Sequence, residues 1–175
     1  MHGEQVIQAH FETSRLTFRP FRLADAPAVL AYWQSDPDWE KYNESVPAGF
    51  TERDAADFVA EMSARDRRVQ PNWAVLHHAR VVGVVSLSFN EDQSRVQLGY
   101  GIHGELRGRG LVPEGVAYVI ELAFTAHQSL LWIEAQTDPA NLASIGVLGK
   151  LGFSRARGSD SKFQLSRRDW RGNSS

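Results

Sequence analysis

Arg107-Gly108-Arg109-Gly110 puts two guanidinium side chains and two glycines immediately ahead of an apolar-periodic stretch that opens with Leu111-Val112-Pro113-Glu114. The chemistry of that pattern is anion binding. Glycines let a backbone approach a ligand closely, and the first N–H groups of a helix have no partner inside it. The helix dipole adds positive potential at the same point. An alternating apolar run, Val96-Gln97-Leu98-Gly99-Tyr100-Gly101-Ile102, precedes the loop. Strand, glycine loop and helix start together predict a seat for a phosphate-bearing ligand.

Several ligands use such seats. A Walker loop needs a lysine and then a serine or threonine after its last glycine, and Leu111 and Val112 stand there instead. Gly99-Tyr100-Gly101-Ile102-His103-Gly104 spells a dinucleotide fingerprint. However, Glu105-Leu106-Arg107-Gly108 separates it from the helix it should open, and Glu121, the acidic residue downstream, falls inside a helix. Taken alone, residues 107–110 also read as a basic surface turn. An arginine–glycine RNA segment would repeat, and this one does not.

The chain that carries the loop has 175 residues, enough for one domain with a sizeable core. Its 42% hydrophobic and 23% charged residues are those of a soluble globular protein. A net charge of −2 offers no basic excess for nucleic acid or an anionic membrane. No apolar run is long enough to span a bilayer, and Met1-His2-Gly3-Glu4-Gln5 lacks the regions of a secretory signal. Cysteine is absent, which removes disulfides, cysteine-based zinc sites and a thiol nucleophile. We therefore expect a cytoplasmic protein without a metal. A flexible segment at 1–10, a single domain at 11–170 and a flexible tail at 171–175 complete the expected organisation.

The elements that must position the loop can be read from periodicity. Arg15-Leu16-Thr17-Phe18-Arg19 alternates and predicts a first strand. Asp25 is placed to cap a helix with Pro27 in its first turn and Val29, Leu30 and Trp33 on one face. Residues 35–50 read as a loop. Thr51-Glu52-Arg53-Asp54 resembles a capping box and leads into Ala55, Phe58, Val59 and Met62 at helical spacing. Trp73–Leu76 and Val81–Phe89 predict a hairpin, followed by the strand at 95–102. Val116, Val119, Ile120, Ala123 and Phe124 trace the buried face of the helix after the loop. Leu130–Ala135 predicts another strand, and Asp138-Pro139-Ala140-Asn141 a turn into a helix that ends at Leu151-Gly152. Phe163 and Leu165 close the series as a final strand. This order is α+β, or mixed α/β, with a largely antiparallel first half.

Four features taken together, Arg107-x-x-Gly110 before a helix, the following strand, Asn141-Leu142-Ala143-Ser144, and Gly149-Lys150-Leu151-Gly152-Phe153, resemble the GNAT superfamily of acyl-CoA-dependent N-acetyltransferases. The resemblance is greatest to the branch that includes the ribosomal-protein alanine and serine N-acetyltransferases. Glu12-Thr13-Ser14-Arg15-Leu16-Thr17-Phe18-Arg19-Pro20 looks like that branch's opening strand, and Leu98-Gly99-Tyr100 like the end of its central strand. It covers residues 11–170. The resemblance implies a GNAT-like, mostly antiparallel sheet of about six to seven strands, about four flanking helices and splayed central strands. It implies acetyl-CoA as the cofactor, with Arg107, Gly108, Arg109, Gly110, Leu111 and Val112 around the pyrophosphate. Val112 stands where glycine or alanine is usual. Backbone groups of Gly101, Ile102 and His103 would face the pantetheine arm. Glu114 is common at its position in the branch, and as a first-turn carboxylate it also suits the helix dipole.

The same resemblance implies direct attack of an amine on the thioester. Many members supply a tyrosine two residues before the lysine of the last motif, where this chain has Leu148. The branch has a serine after the asparagine instead, which points to Ser144 for the sulfur and Asn141 for orienting cofactor or substrate. Read without the resemblance, Asn141 is a helix N-cap and Ser144 a first-turn serine. The general base has several candidates, Glu134, His103 and Glu44, because Gln97 occupies the place where relatives often carry glutamate. Trp33, Tyr42 and Tyr100 are expected to contact the acceptor amine, with Trp39, Phe50, Asp36, Asp38 and Glu40 nearby in sequence. Aromatic faces and carboxylates suit a cation, although the same aromatics could cover the core. The partner is thus a protein N-terminus or a small-molecule amine, taken by a monomer or homodimer. Two other readings stay open at this point: an acyl-CoA sensor without turnover, motivated by Gln97 and Val112, and a nucleotide- or RNA-binding domain resting on residues 107–110 alone.

Overall fold

The computed structural model describes residues 6–36, 39–42 and 49–172. Eight strands form one open sheet in the order β1-β2-β3-β4-β5-β6-β8-β7. They are β1 (Phe11–Glu12), β2 (Thr17–Arg19), β3 (Asn72–His77), β4 (Arg80–Phe89), β5 (Arg95–Ile102), β6 (Trp132–Gln136), β7 (Ser154–Arg155) and β8 (Lys162–Ser166). The pair β5–β6 is parallel and the other pairs are antiparallel. The helices are α1 (Ala26–Gln34), the short α2 (Trp39–Tyr42), α3 (Glu52–Ala64), α4 (Leu111–Ala126) and α5 (Leu142–Lys150). None of them is long and apolar enough to cross a membrane. The two-residue strands β1 and β7 are the ones that periodicity could not show, because alternation needs more than two positions to register.

Two cores lie on the two faces of the sheet. On one face α4 and α5 cover the central strands, and Val116, Val119, Ile120, Ala123 and Phe124 are buried against Val96, Leu98 and Ile133. Each of the valine, leucine, isoleucine and phenylalanine side chains among them contributes about 1.5–3 kcal/mol by leaving water. On the other face α1 and α3 close over Ala74, Leu76 and Val81, with Val29, Tyr32, Trp33, Ala55 and Val59 inside. Helix α3 starts as its sequence indicated. The Thr51 hydroxyl accepts from the Asp54 N–H at 3.2 Å, and the Asp54 carboxylate accepts from the Thr51 N–H at 2.8 Å. Asp25 differs from expectation. Its carboxylate accepts both arms of the Arg19 guanidinium, at 2.7 and 2.8 Å, and the Arg22 N–H at 2.8 Å, so it makes no side-chain cap on α1. The Arg19 fork and the Arg22 N–H already occupy both oxygens of the carboxylate.

The centre of the sheet opens. Pairing between β5 and β6 runs from Arg95–Trp132 to Leu98–Ala135 and stops, whereas β5 stays paired with β4 as far as Gly83–Ile102. Residues 99–102 therefore present one backbone edge without a neighbouring strand. The approach of β4 to this end of β5 depends on Gly83. A Cβ there would stand 2.3 Å from the carbonyl oxygen of Gly101, so only glycine permits the close crossing.

Candidate functional site

The opened edge of β5, the loop before α4 and the first turns of α5 enclose a cavity of about 350 Å³. At one end lies the start of α4. Gly108 and Gly110 both adopt left-handed backbone, with φ of 74° and 75°, and Gly110 is the N-cap residue. Of the four positions whose N–H has no partner within a helix, Gly110, Leu111 and Val112 carry one, while Pro113 has none to leave unsatisfied. All four residues line the cavity, as does Gly108. Val112 also packs against the main core, so its larger side chain is accommodated beside the site. Arg107 forms an ion pair with Asp36, whose side chain is only 5% exposed and which also lines the cavity. Ser35 strengthens this junction, its hydroxyl accepting from the Gly104 N–H at 2.8 Å.

The cavity is also lined by two hydroxyls. Tyr100 on β5 points to the α4–α5 side of the sheet, like Leu98, and its phenol oxygen lies 2.9 Å from Ser144 Oγ. Burial pushes the Tyr100 phenol above its usual range, against the opposing effect of the Ser144 bond, so the group stays protonated at neutral pH. Asn141 does cap α5: its side-chain oxygen accepts from the Ser144 N–H at 3.1 Å, which holds Ser144 in the first turn. Tyr42 reaches across from α2 to the Ala140 carbonyl at 3.5 Å. Both Asn141 and Tyr42 line the cavity, together with Gly101, Ile102 and Ser144.

Other residues named from the sequence lie elsewhere. Trp33 is 2% exposed and packs with Phe50 and Phe58, which corrects its assignment to the acceptor wall. Its indole belongs to the core beneath α1 and α3, because an apolar face of that size gains most by full burial. Trp33→Ala should therefore cost about 3–5 kcal/mol in urea unfolding. Unchanged stability with a raised acceptor KM would return Trp33 to the wall. Glu134 is a second correction. It sits in register with Gln97 and Gln164, on the sheet face away from the buried Ile133 and Ala135, and pairs with Arg95. It neither lines the cavity nor meets Ser144. The His103 N–H is already bound to the Val82 carbonyl at 2.7 Å, and its ring accepts weakly from the Glu105 N–H at 3.4 Å, so this residue does not face the cavity. Arg109 stands behind the loop rather than on the wall. Glu44 and Asp38 lie outside the described residues.

Two contacts of the site had no signal in the sequence: Arg107 with Asp36, and Tyr100 with Ser144, separated by 71 and 44 residues. Lys150, which also lines the cavity, was read only as part of a motif. Among the described residues no group of three or more metal-ligating side chains converges.

Comparison with known proteins fits this geometry. A family model described as "Acetyltransferase (GNAT) domain" matches residues 15–154. An uncharacterized N-acetyltransferase, p20, from Bacillus licheniformis is 30% identical over 148 residues, covering 82% of this chain and 81% of that protein. Among solved structures, a GNAT-family acetyltransferase from Bacillus anthracis superposes with a TM-score of 0.75 at 22% identity, covering 91% of this chain and 99% of the other. Mycobacterium smegmatis RimJ in complex with CoA-disulfide gives 0.74 at 19% identity, over 96% and 91%.

Proposed function

The chain belongs to the GNAT acetyltransferase family, and on that footing we propose that it moves an acetyl group from acetyl-CoA directly to a primary amine, either a protein N-terminus or a small-molecule amine. One observation carries the reading: the gap between β5 and β6 and the start of α4 open into the same cavity. A phosphate seat and an unpaired strand edge beside one cavity suit a ligand that is anionic at one end and amide-bearing along its arm. The residues fit it. The Gly110, Leu111 and Val112 N–H groups would hold the pyrophosphate, each charge-assisted bond worth about 1.5–3 kcal/mol. The backbone edge of residues 99–102 would pair with the pantetheine amides.

Bound acetyl-CoA supplies a thioester, whose carbonyl carbon forms the C–N bond while its C–S bond breaks. Ser144 then donates its hydroxyl proton to the departing sulfur, the Tyr100 phenol, held 2.9 Å behind it and kept protonated by burial, returns a proton to Ser144, and Tyr100 regains one through water from the proton the amine gives up. The N-terminus of α5 adds positive potential where negative charge develops. Asp36 is engaged by Arg107, so the amine is taken to lose its proton through water. Tyr42 and Tyr100 offer aromatic surface to the incoming amine.

Calorimetric titration with acetyl-CoA, with ATP and NAD as controls, tests the reading. Micromolar binding of acetyl-CoA alone is expected, and absence of binding would end the catalytic assignment. Binding without turnover across a broad amine panel would favour a sensor.

A further inference from the structure

We propose that Arg15, ninety-odd residues away in sequence, is the positioning residue that aims the Gly110 N–H into the phosphate seat, with Glu114 and Thr13 holding it in place. The proposal rests on the reading of that loop as the seat for the CoA pyrophosphate.

A loop with left-handed glycines at 108 and 110 has a large conformational space to lose on binding. Something outside the loop must restrict it. The Arg15 guanidinium does so by donating from Nη1 to the Arg109 carbonyl at 2.9 Å. A trans peptide directs its N–H opposite to its C=O. Pulling the Arg109 carbonyl toward Arg15 therefore turns the Gly110 N–H the other way. Gly110 lines the cavity and Arg109 does not, so the turned N–H faces the ligand's side. Arg15 Nη2 also lies 3.6 Å from where a Cβ of Gly110 would be, which places the guanidinium directly against the loop.

Arg15 is itself fixed. Glu114 accepts its Nε at 2.7 Å and its backbone N–H at 2.9 Å, and also takes the Thr13 hydroxyl at 2.6 Å. Burial by itself would raise the Glu114 carboxyl, but the Thr13 and Arg15 bonds hold it below its usual range. The anion is thus matched by a cation, which matters because an unpaired carboxylate in this turn would repel incoming phosphate. A carboxylate favoured by the helix dipole alone would need none of these partners. Arginine is required because one planar fork must reach Glu114 and the Arg109 carbonyl together, which the single ammonium of lysine cannot reproduce.

The test compares wild type, Arg15→Ala and Arg15→Lys by CoA titration, with the Gly110 amide followed in 1H–15N spectra. Arg15→Ala is expected to weaken CoA by roughly 10- to 100-fold. The downfield shift of the Gly110 amide on adding CoA should be lost while the amides of the two cores keep their positions. Arg15→Lys should recover only part of the affinity. Unchanged affinity in Arg15→Ala, or full recovery in Arg15→Lys, overturns the positioning role and leaves the proposed function intact. No CoA binding by wild type overturns both. Should Arg15→Ala fail to fold, Glu114→Gln, which loosens the fork but keeps its shape, should weaken CoA a few-fold with the same change at Gly110, and wild-type behaviour there overturns the proposal.

Discussion

Replacing Ser144 with alanine is expected to lower kcat by roughly 10- to 100-fold while acetyl-CoA affinity stays within about threefold. The hydroxyl lines the cavity beside β5, with its backbone fixed by the Asn141 cap and its oxygen fixed by the Tyr100 phenol. Such a group makes its best interaction when charge collects on the leaving sulfur, and makes little contact before then. The loss should therefore fall on kcat rather than on binding. The effect is bounded, because a thiol has an ordinary pKa of about 8.5 and its anion is a tolerable leaving group near neutrality. Tyr100→Phe should give a smaller fall, since Ser144 keeps its own proton and loses only the group that replenishes it. Thiol release measured with a competent amine checks both. A wild-type kcat for Ser144→Ala would remove the residue from the chemistry.

Gly110→Val should remove measurable cofactor affinity, a loss of roughly 100-fold or more. Gly110 has φ of 75°, in the region that a β-branched residue avoids most strongly. The space beside it is ordinary, with Arg15 3.6 Å from a Cβ, so the cost arises in the backbone and not from a clash. About 1–2 kcal/mol of strain would drive the loop to another conformation and turn the N–H groups of Gly110 and its neighbours off target. Gly110→Ala, with less strain, should be intermediate. Calorimetry with acetyl-CoA, alongside a urea unfolding curve, separates a lost seat from a lost fold. Full affinity in Gly110→Val would mean that phosphate is held elsewhere.

Much of the architecture was legible along the chain. The capping box at Thr51, the buried stripe of α4 and the glycine loop each rest on neighbours within a few residues, where local energetics and spacing decide the outcome. The shortest strands were not, since β1 and β7 exist only because β2 and β8 offer them an edge. Trp33 was ambiguous because an aromatic at the end of an apolar helix, just ahead of a polar stretch, suits a ligand wall as well as a core, and only the packing of α3 over α1 distinguishes the two. Glu134 was misleading for a related reason. Alternation shows that β6 has two faces, but not which one borders the cavity, and the face of Glu134 is the one paired with Arg95.

Neighbouring residues alone were enough for the glycine loop, the helix behind it and the family resemblance, because these are consecutive residues whose conformations follow from glycine freedom, proline geometry and helical periodicity. Which groups stand together emerges from the folded chain: Tyr100 with Ser144, Arg107 with Asp36, and Arg15 with Glu114 and the back of the loop. Each of those pairs joins segments tens of residues apart. Their meeting depends on sheet order and on the depth to which α4 and α5 settle, quantities set by the packing of the whole core and written at no single position.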